Sequence, residues 1–150
     1  MKVLPDLENL IVTRQVLPYM RRARRGRIVM MSSIGGKIAM PGASPYCASK
    51  FALRGWSESV RVELAPLGID VLLVSPGPTG TQFWDHLVEQ QGSIPWTTRM
   101  AMPVEKAAAQ VVRAIARGRR EIILGFRGRW FVRLGRWFPG LMDGIMRRMA

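Results

Sequence analysis

The sequence predicts an α/β fold built on a parallel sheet of about three strands with flanking helices. Three short apolar runs, RIVMMSS (27–33), IDVLLVS (69–75) and EIILG (121–125), are rich in strand-forming residues and predict buried strands. Helical patterns separate these runs, and the joins are short. Strand, helix and strand in this order form a βαβ unit, so we expect parallel strands with a right-handed crossover.

The first two helices are predicted from apolar periodicity and from residues typical of helix ends. Residues 6–20 carry apolar side chains at helical spacing, and Pro18 is placed to kink or end that helix. A long helix is predicted from Ser44, as a capping hydroxyl, and Pro45 to about Ala65. This helix would connect the first two strands.

Further along the chain, residues 78–102 predict an irregular loop with room for one short helix, and residues 103–118 predict a third helix before the last strand. We find no internal repeat and no linker. The prediction is therefore one α/β unit over residues 1–125 and a separate C-terminal extension over 126–150.

Composition narrows the class of protein. The chain has 150 residues, of which 48% are apolar, enough for one domain with a sizeable core and too many for a disordered chain. With one cysteine, Cys47, no intrachain disulfide can form, and a reducing cytoplasm is the simplest setting. The sequence predicts neither a signal peptide nor a membrane-spanning helix, and we expect no metal site.

The balance of charge is strongly basic. Lysine and arginine number 23 against 10 acidic residues, a net charge of +13 that attracts anions such as nucleotide phosphates, nucleic acids or acidic lipids. The run RRARRGR (21–27) could bind nucleic acid, but a solvated loop between a helix and a strand is the simpler interpretation.

The extension 126–150 interleaves arginines with Trp130, Phe131, Trp137 and Phe138. Such a pattern is typical of a helix lying in a membrane interface. The alternatives are that its apolar face packs on the domain or on a second subunit, or that it holds single-stranded nucleic acid, for which no recognition motif is present.

The stretch SPYCASKFAL (44–53) places Tyr46 and Lys50 four residues apart, on one face of the predicted long helix. A fixed cation beside a phenol favours the phenolate, so the pair could act as a general acid and base. It could equally be a tyrosine and a lysine sharing a solvated face. Because ligands of parallel α/β sheets bind beyond the carboxyl ends of the strands, Ser33, Tyr46 and the Pro76–Gly77 turn should meet at one rim.

These segments resemble the C-terminal half of a short-chain dehydrogenase/reductase. Ser33 lies thirteen residues before the Y-x-x-x-K motif of Tyr46 and Lys50, and Pro76 to Thr81 match the family's cofactor-contacting turn P-G-x-x-x-T. The resemblance covers residues 10–82 well. It implies a partial Rossmann-like, doubly wound sheet and an oxidoreductase that uses NADP or NAD.

The resemblance also implies roles for the matching residues. Tyr46 would exchange a proton with the substrate oxygen, Ser33 would hold that oxygen, and Lys50 would assist Tyr46 and bind the nicotinamide ribose. Tyr46 would also lie against the cofactor. The remaining cofactor contacts would come from the turn: Pro76, Gly77, Thr79 and Thr81. The substrate would be an alcohol or ketone, and the aromatic residues of the loop 82–102 suggest that it is apolar.

The sequence departs from the family at one important point. It contains no G-x-x-x-G-x-G turn to hold the pyrophosphate, and the family's first strands, with the residue that selects NAD or NADP, are absent. Strand 27–33 would then be an open edge that seeks a partner, so we expect a homo-oligomer. We expect a truncated enzyme that binds its cofactor more weakly than micromolar; the alternative is a non-enzymatic remnant that acts as an interaction or membrane-surface module.

Overall fold

The computed structural model describes residues 7–80 and 101–148. Three parallel strands pair in chain order to form one sheet, which confirms the predicted α/β class. The strands are β1 (Gly26–Met31), β2 (Ile69–Ser75) and β3 (Glu121–Ile123), and the helices are α1 (Leu7–Ala23), α2 (Ser44–Leu64), α3 (Val104–Ala116), α4 (Phe126–Trp137) and α5 (Pro139–Arg147). Two short 3₁₀ turns, Ile34–Gly36 and Ala65–Leu67, follow β1 and α2.

The sheet is covered on both faces, as a doubly wound fold requires. On one face, Val71 and Leu73 of β2 pack with buried residues of β1 and α2, and α1 adds Leu10 and Leu17. On the other face, Leu72 and Val74 pack with buried alanines of α3. Since alternate residues of a strand point to opposite faces, the continuous apolar run of β2 is explained by burial on both sides.

Helix α1 is longer than predicted, because it continues through Pro18 to Ala23. Leu17 and Met20, on either side of the proline, both pack against the core, and these tertiary contacts stabilise the helix beyond Pro18. The basic run 21–27 is consequently not one solvated loop. Its first arginines lie in the last turn of α1, and Arg27 lies in β1, where it pairs with Asp70.

Other element ends also differ from the prediction. The N-cap of α2 is Ala43 and not Ser44, which is the first helical residue, and no side chain caps this end. Strand β1 ends at Met31, so that Ser32 and Ser33 lie in the loop after it. Strand β3 ends at Ile123, because Gly125 adopts a positive φ of 76° and turns the chain into α4.

The C-terminal helices pack on the carboxyl edge of the sheet. Gly128 of α4 lies against Ile34 and Ile123, and Gly135 lies so close to Ile38 that an added Cβ would come within 2.6 Å of its Cδ1 atom. Met142 and Met146 of α5 are buried. One face of this helical pair is therefore docked on the domain, while many of its aromatic side chains remain exposed.

Candidate active site

The loop after β1 runs beside the turn after β2. The backbone N–H of Ser32 donates to the carbonyl of Val74 at 2.8 Å, and that of Ile34 donates to the carbonyl of Pro76, also at 2.8 Å. These bonds continue the sheet ladder past the ends of both strands. They hold Ser33 next to the Pro76–Gly77 turn, on the edge of the sheet where parallel α/β proteins bind ligands.

Ser33 is buried and organises the 3₁₀ turn that follows it. Its Oγ accepts a hydrogen bond from the backbone N–H of Gly35 at 3.1 Å, which caps the turn. Lys37, just after the turn, forms an ion pair with Glu121 of β3 and ties this segment to the far strand. Ser33 is consequently fixed in place from both directions.

Tyr46 and Lys50 lie on one face of α2, as their spacing predicted. Tyr46 is buried in the first turn, and the Lys50 Nζ lies 5.6 Å from the centroid of its ring, within the range of a cation–π contact. The same ammonium donates to the backbone carbonyl of Met31 at 3.3 Å. The lysine thus bridges the tyrosine and the end of β1. Since Tyr46 is buried, the two residues do not simply share a solvated face of the helix.

Two glycines bring these groups together, and sequence reasoning did not foresee their part. A Cβ at Gly35 would lie 3.2 Å from the Tyr46 ring, and a Cβ at Gly36 would lie 2.7 Å from the carbonyl oxygen of Lys50. The turn that Ser33 caps therefore rests directly on α2. A Gly-Gly pair a few residues after a strand is the sequence signal that could have indicated this close approach.

Two neighbouring residues have structural roles. The Ser32 Oγ donates to the carbonyl of Lys50 at 3.3 Å and joins the loop to α2. Burial raises the pKa of the Cys47 thiol above its ordinary value of 9.0, and its sulfur accepts a hydrogen bond from the backbone of Met40. A buried thiol held in its neutral form is a packing group and not a nucleophile.

The turn after β2 continues toward α3. Thr79 forms a bridge with Met102, where the Gly80 N–H donates to the Met102 carbonyl and the Met102 N–H donates to the Pro78 carbonyl. Thr81 and the aromatic part of the loop 82–102, which we expected to contact cofactor and substrate, lie outside the described residues.

A cleft of about 780 Å³ opens beside this turn. Its walls come from Ile34, the turn, the start of α3 and the inner side of α4, with cationic groups Lys106 and Arg127 among mostly apolar residues. The lining includes Gly77, Pro78, Met102, Leu124, Phe126 and Phe131. A cleft of this size and composition at the strand ends is the usual form of a small-molecule site.

The rim fits one half of a nicotinamide dinucleotide. An ammonium at Lys50 suits ribose hydroxyls as a hydrogen-bond donor, and Gly77 and Pro78 of the turn line the open cleft. The phosphate half normally needs a glycine-rich turn at a helix N-terminus, and the sequence does not contain one.

Comparison with known proteins shows that the chain is similar to short-chain dehydrogenases. A family model described as short chain dehydrogenase matches residues 9–92. The uncharacterized oxidoreductase YusZ of Bacillus subtilis is 44% identical over 84 residues, which are 56% of this chain and 30% of that protein. The 3-ketodihydrosphingosine reductase of Bacteroides thetaiotaomicron is 51% identical over 73 residues, 49% of this chain and 27% of that protein.

Solved structures match over nearly the whole chain. A short-chain dehydrogenase from Streptomyces avermitilis superimposes with a TM-score of 0.70 and 29% identity, over 93% of this chain and 54% of that one. A short chain dehydrogenase from Burkholderia cenocepacia, solved in complex with NADP, gives a TM-score of 0.75 at 22% identity over 97% and 64% of the two chains. At 22% identity, this second similarity shows a shared fold and nothing more.

The chain spans less than a third of the length of these curated relatives, and more than half of these two solved structures. The family match covers more than half of its residues and includes β1, α2 and β2 as well as Ser33, Tyr46 and Lys50. The chain belongs to the short-chain dehydrogenase/reductase family.

Proposed function

We propose that this chain is the catalytic part of an NAD(P)-dependent oxidoreductase that interconverts an alcohol and a carbonyl compound. The observation that carries the proposal is the position of Lys50, whose ammonium lies over the buried Tyr46 ring and is hydrogen-bonded to the end of β1. Bound NADPH or NADH would supply the hydride for reduction, and bound NADP or NAD would accept it in oxidation. The chain's own residues would position the substrate and move its proton.

In the reduction direction, Tyr46 donates its phenolic proton to the substrate oxygen as hydride reaches the carbonyl carbon, and the product is the alcohol. The positive charge of Lys50 stabilises the phenolate that remains. In the oxidation direction, the same phenolate takes the proton back. A catalyst of this kind needs the cation fixed near the ring, and the bond from Lys50 to the Met31 carbonyl supplies that constraint.

Ser33 would hold the substrate oxygen beside Tyr46. Its Oγ already accepts a hydrogen bond from Gly35, and a hydroxyl that accepts one bond can still donate its own proton to another oxygen. Lys50 and the backbone of residues 76–79 would hold the nicotinamide ribose and ring, with Thr81 as a further contact. These assignments rest on the family motif and on the shared rim.

We further propose that the substrate is apolar. The cleft beside the turn is lined mainly by apolar side chains, and the relative from Bacteroides thetaiotaomicron is named for reduction of 3-ketodihydrosphingosine. The phosphate groups of the cofactor would need a site beyond these residues, so we expect the chain alone to bind NADPH or NADH more weakly than micromolar. Among the residues that the structure describes, β1 is an edge strand, and such an edge suits a second subunit.

The test compares the two tyrosines of the chain. Tyr46→Phe should lower turnover of an apolar ketone, measured at high NADPH or NADH, by roughly 100-fold or more, because a positioned general acid contributes that much. Tyr19→Phe is the matched control, since Tyr19 is 67% exposed on α1. Both variants should unfold at the same denaturant concentration as the unmodified chain.

Two results would contradict the proposal. Equal turnover in Tyr46→Phe and Tyr19→Phe would remove Tyr46 from the chemistry. A folded chain without turnover at any cofactor concentration would favour the alternative function, a non-enzymatic interaction or membrane-surface module. A dissociation constant at or below micromolar would overturn only the expectation of weak cofactor binding.

A further inference from the structure

The outer face of α4 combines exposed aromatic rings with arginines. Phe126, Trp130 and Trp137 are spaced four and seven residues apart and so follow one line along the helix. Their exposed fractions are 66%, 54% and 76%, although these are side chains that proteins normally bury. Phe138 and Leu141, at the junction with α5, are also more than half exposed and extend the patch.

A row of arginines runs beside the aromatic line. Arg129, Arg133 and Arg136 are four and three residues apart, all exposed, and therefore lie along a neighbouring strip of the same helix. The Arg133 guanidinium lies 5.9 Å from the centre of the Trp130 ring, and Phe126 meets Trp130 edge to face at 5.9 Å. We call Phe126, Trp130, Trp137, Phe138, Leu141 and these three arginines the aromatic–arginine face.

The opposite side of α4 is already occupied. Gly128 and Gly135 rest on Ile34, Ile123 and Ile38, and the buried methionines of α5 complete that contact. Packing on the domain therefore explains the inner side of the helix, and within the aromatic–arginine face only Phe126, at the start of α4, also lines the cleft. The face is fixed in orientation and points away from the sheet.

We propose that the aromatic–arginine face docks this chain on an anionic lipid surface. Apolar rings in the centre with cations beside them match the two layers of a membrane interface, where aromatic side chains enter the acyl boundary and arginines meet phosphate headgroups. Among the described residues, no helix is long and apolar enough to cross a bilayer. The chain would thus rest on the membrane, independently of the proposed catalytic function.

Charge complementarity selects this occupant over a second copy of the chain. From residue 126 to 150 the sequence has a single acidic residue, Asp143, which is not part of the aromatic–arginine face, and the whole chain carries a net charge of +13. Two copies meeting through this face would oppose arginine rows without carboxylates to pair them. A nucleic acid would satisfy the arginines, but it offers no apolar layer for Phe138 and Leu141.

The test is co-sedimentation with vesicles of phosphatidylcholine alone and of phosphatidylcholine with about a quarter phosphatidylglycerol. The chain should bind the anionic vesicles, and added salt should weaken that binding. The triple variant Arg129→Gln, Arg133→Gln, Arg136→Gln should lose roughly 100-fold in affinity, about fivefold for each arginine near the surface. Arg117→Gln, Arg119→Gln, Arg120→Gln is the matched control, because it removes the same charge at the opposite edge of the sheet, before β3.

The contribution of the aromatic rings is tested with the double variant Trp130→Ala, Trp137→Ala. Its control is Tyr19→Ala, which removes an exposed aromatic side chain on α1. Brominated lipids should quench tryptophan fluorescence of the unmodified chain and of the Tyr19 variant more than that of the double variant. Equal vesicle affinity of the two triple variants would overturn the proposal. Two other results would also overturn it. If the unmodified chain is a dimer and the double tryptophan variant is not, the face belongs to a second copy. Tighter binding to a single-stranded oligonucleotide than to vesicles would assign the face to nucleic acid.

Discussion

The contact between Gly36 and α2 decides whether the candidate site can assemble, and its replacement by alanine tests this directly. In Gly36→Ala the new Cβ would lie 2.7 Å from the carbonyl oxygen of Lys50 and 2.8 Å from the Ser32 Oγ, where ordinary contacts begin at 3.4 Å. Gly36 has no positive φ, so the cost arises from this contact alone. Either the 3₁₀ turn or α2 must move.

The structure sets the size of the effect. Overpacking of this kind costs about 1–3 kcal/mol. Movement of the turn would also weaken the 3.3 Å hydrogen bond from Ser32 to Lys50, worth roughly 0.5–1.5 kcal/mol. We expect the free energy of unfolding to fall by about 1–3 kcal/mol, since relaxation recovers part of the sum. In urea, the midpoint should drop by roughly 0.5–1.5 M.

Gly55→Ala is the matched control. Gly55 lies within α2, and a Cβ there would meet nothing within 4 Å, so alanine should stabilise the helix by about 0.5–1 kcal/mol. The two glycine-to-alanine changes should therefore shift the urea midpoint, followed by far-ultraviolet circular dichroism, in opposite directions. An unchanged or higher midpoint for Gly36→Ala would refute the close approach of the turn and α2.

Two further predictions concern the core. Leu64→Ala should lower the free energy of unfolding by about 2–5 kcal/mol, because Leu64 is fully buried. Val62→Ala, at a position 71% exposed, should change it by less than about 0.5 kcal/mol. Equal urea midpoints of the two variants would place Leu64 outside the core. Burial raises the pKa of Cys47, so the folded chain keeps this thiol proton while the unfolded chain loses it above pH 9.0. Stability relative to Cys47→Ala should therefore be constant below that pH and fall above it, and a difference that does not vary with pH would contradict this burial.

The parts of the fold that follow from local chemistry were predicted well. Strand β2 has the predicted limits, 69–75, because a strand buried on both faces is marked by a run of apolar residues, here Val71 to Val74 after Ile69 and the exposed Asp70. The shared face of Tyr46 and Lys50 follows from helix geometry alone. Element ends were less certain, since α1 passes Pro18 through tertiary contacts of Leu17 and Met20 that no local pattern encodes.

The site depends on contacts between segments distant in sequence, and these set the limit of sequence reasoning. The bond from Lys50 to Met31 and the contact of Gly35 with the Tyr46 ring connect β1, the 3₁₀ turn and α2. Their residue types permit such contacts without requiring them. The spacing of Tyr46 and Lys50 predicted that they share a helix face, but only the folded chain shows Lys50 bonded to Met31 and the turn after Ser33 resting on the Tyr46 ring.

Helix α4 links the two proposals while keeping them experimentally separate. Its inner side, with Gly128 and Phe131, forms a wall of the cleft beside the Pro76–Gly77 turn, and its outer side carries Trp137. Because these sides point in opposite directions, Trp137→Ala should weaken vesicle binding without altering the cleft, and Tyr46→Phe should lower turnover without altering vesicle binding. A helix that rests on a membrane while closing an apolar cleft would place that cleft next to the phase in which an apolar substrate dissolves.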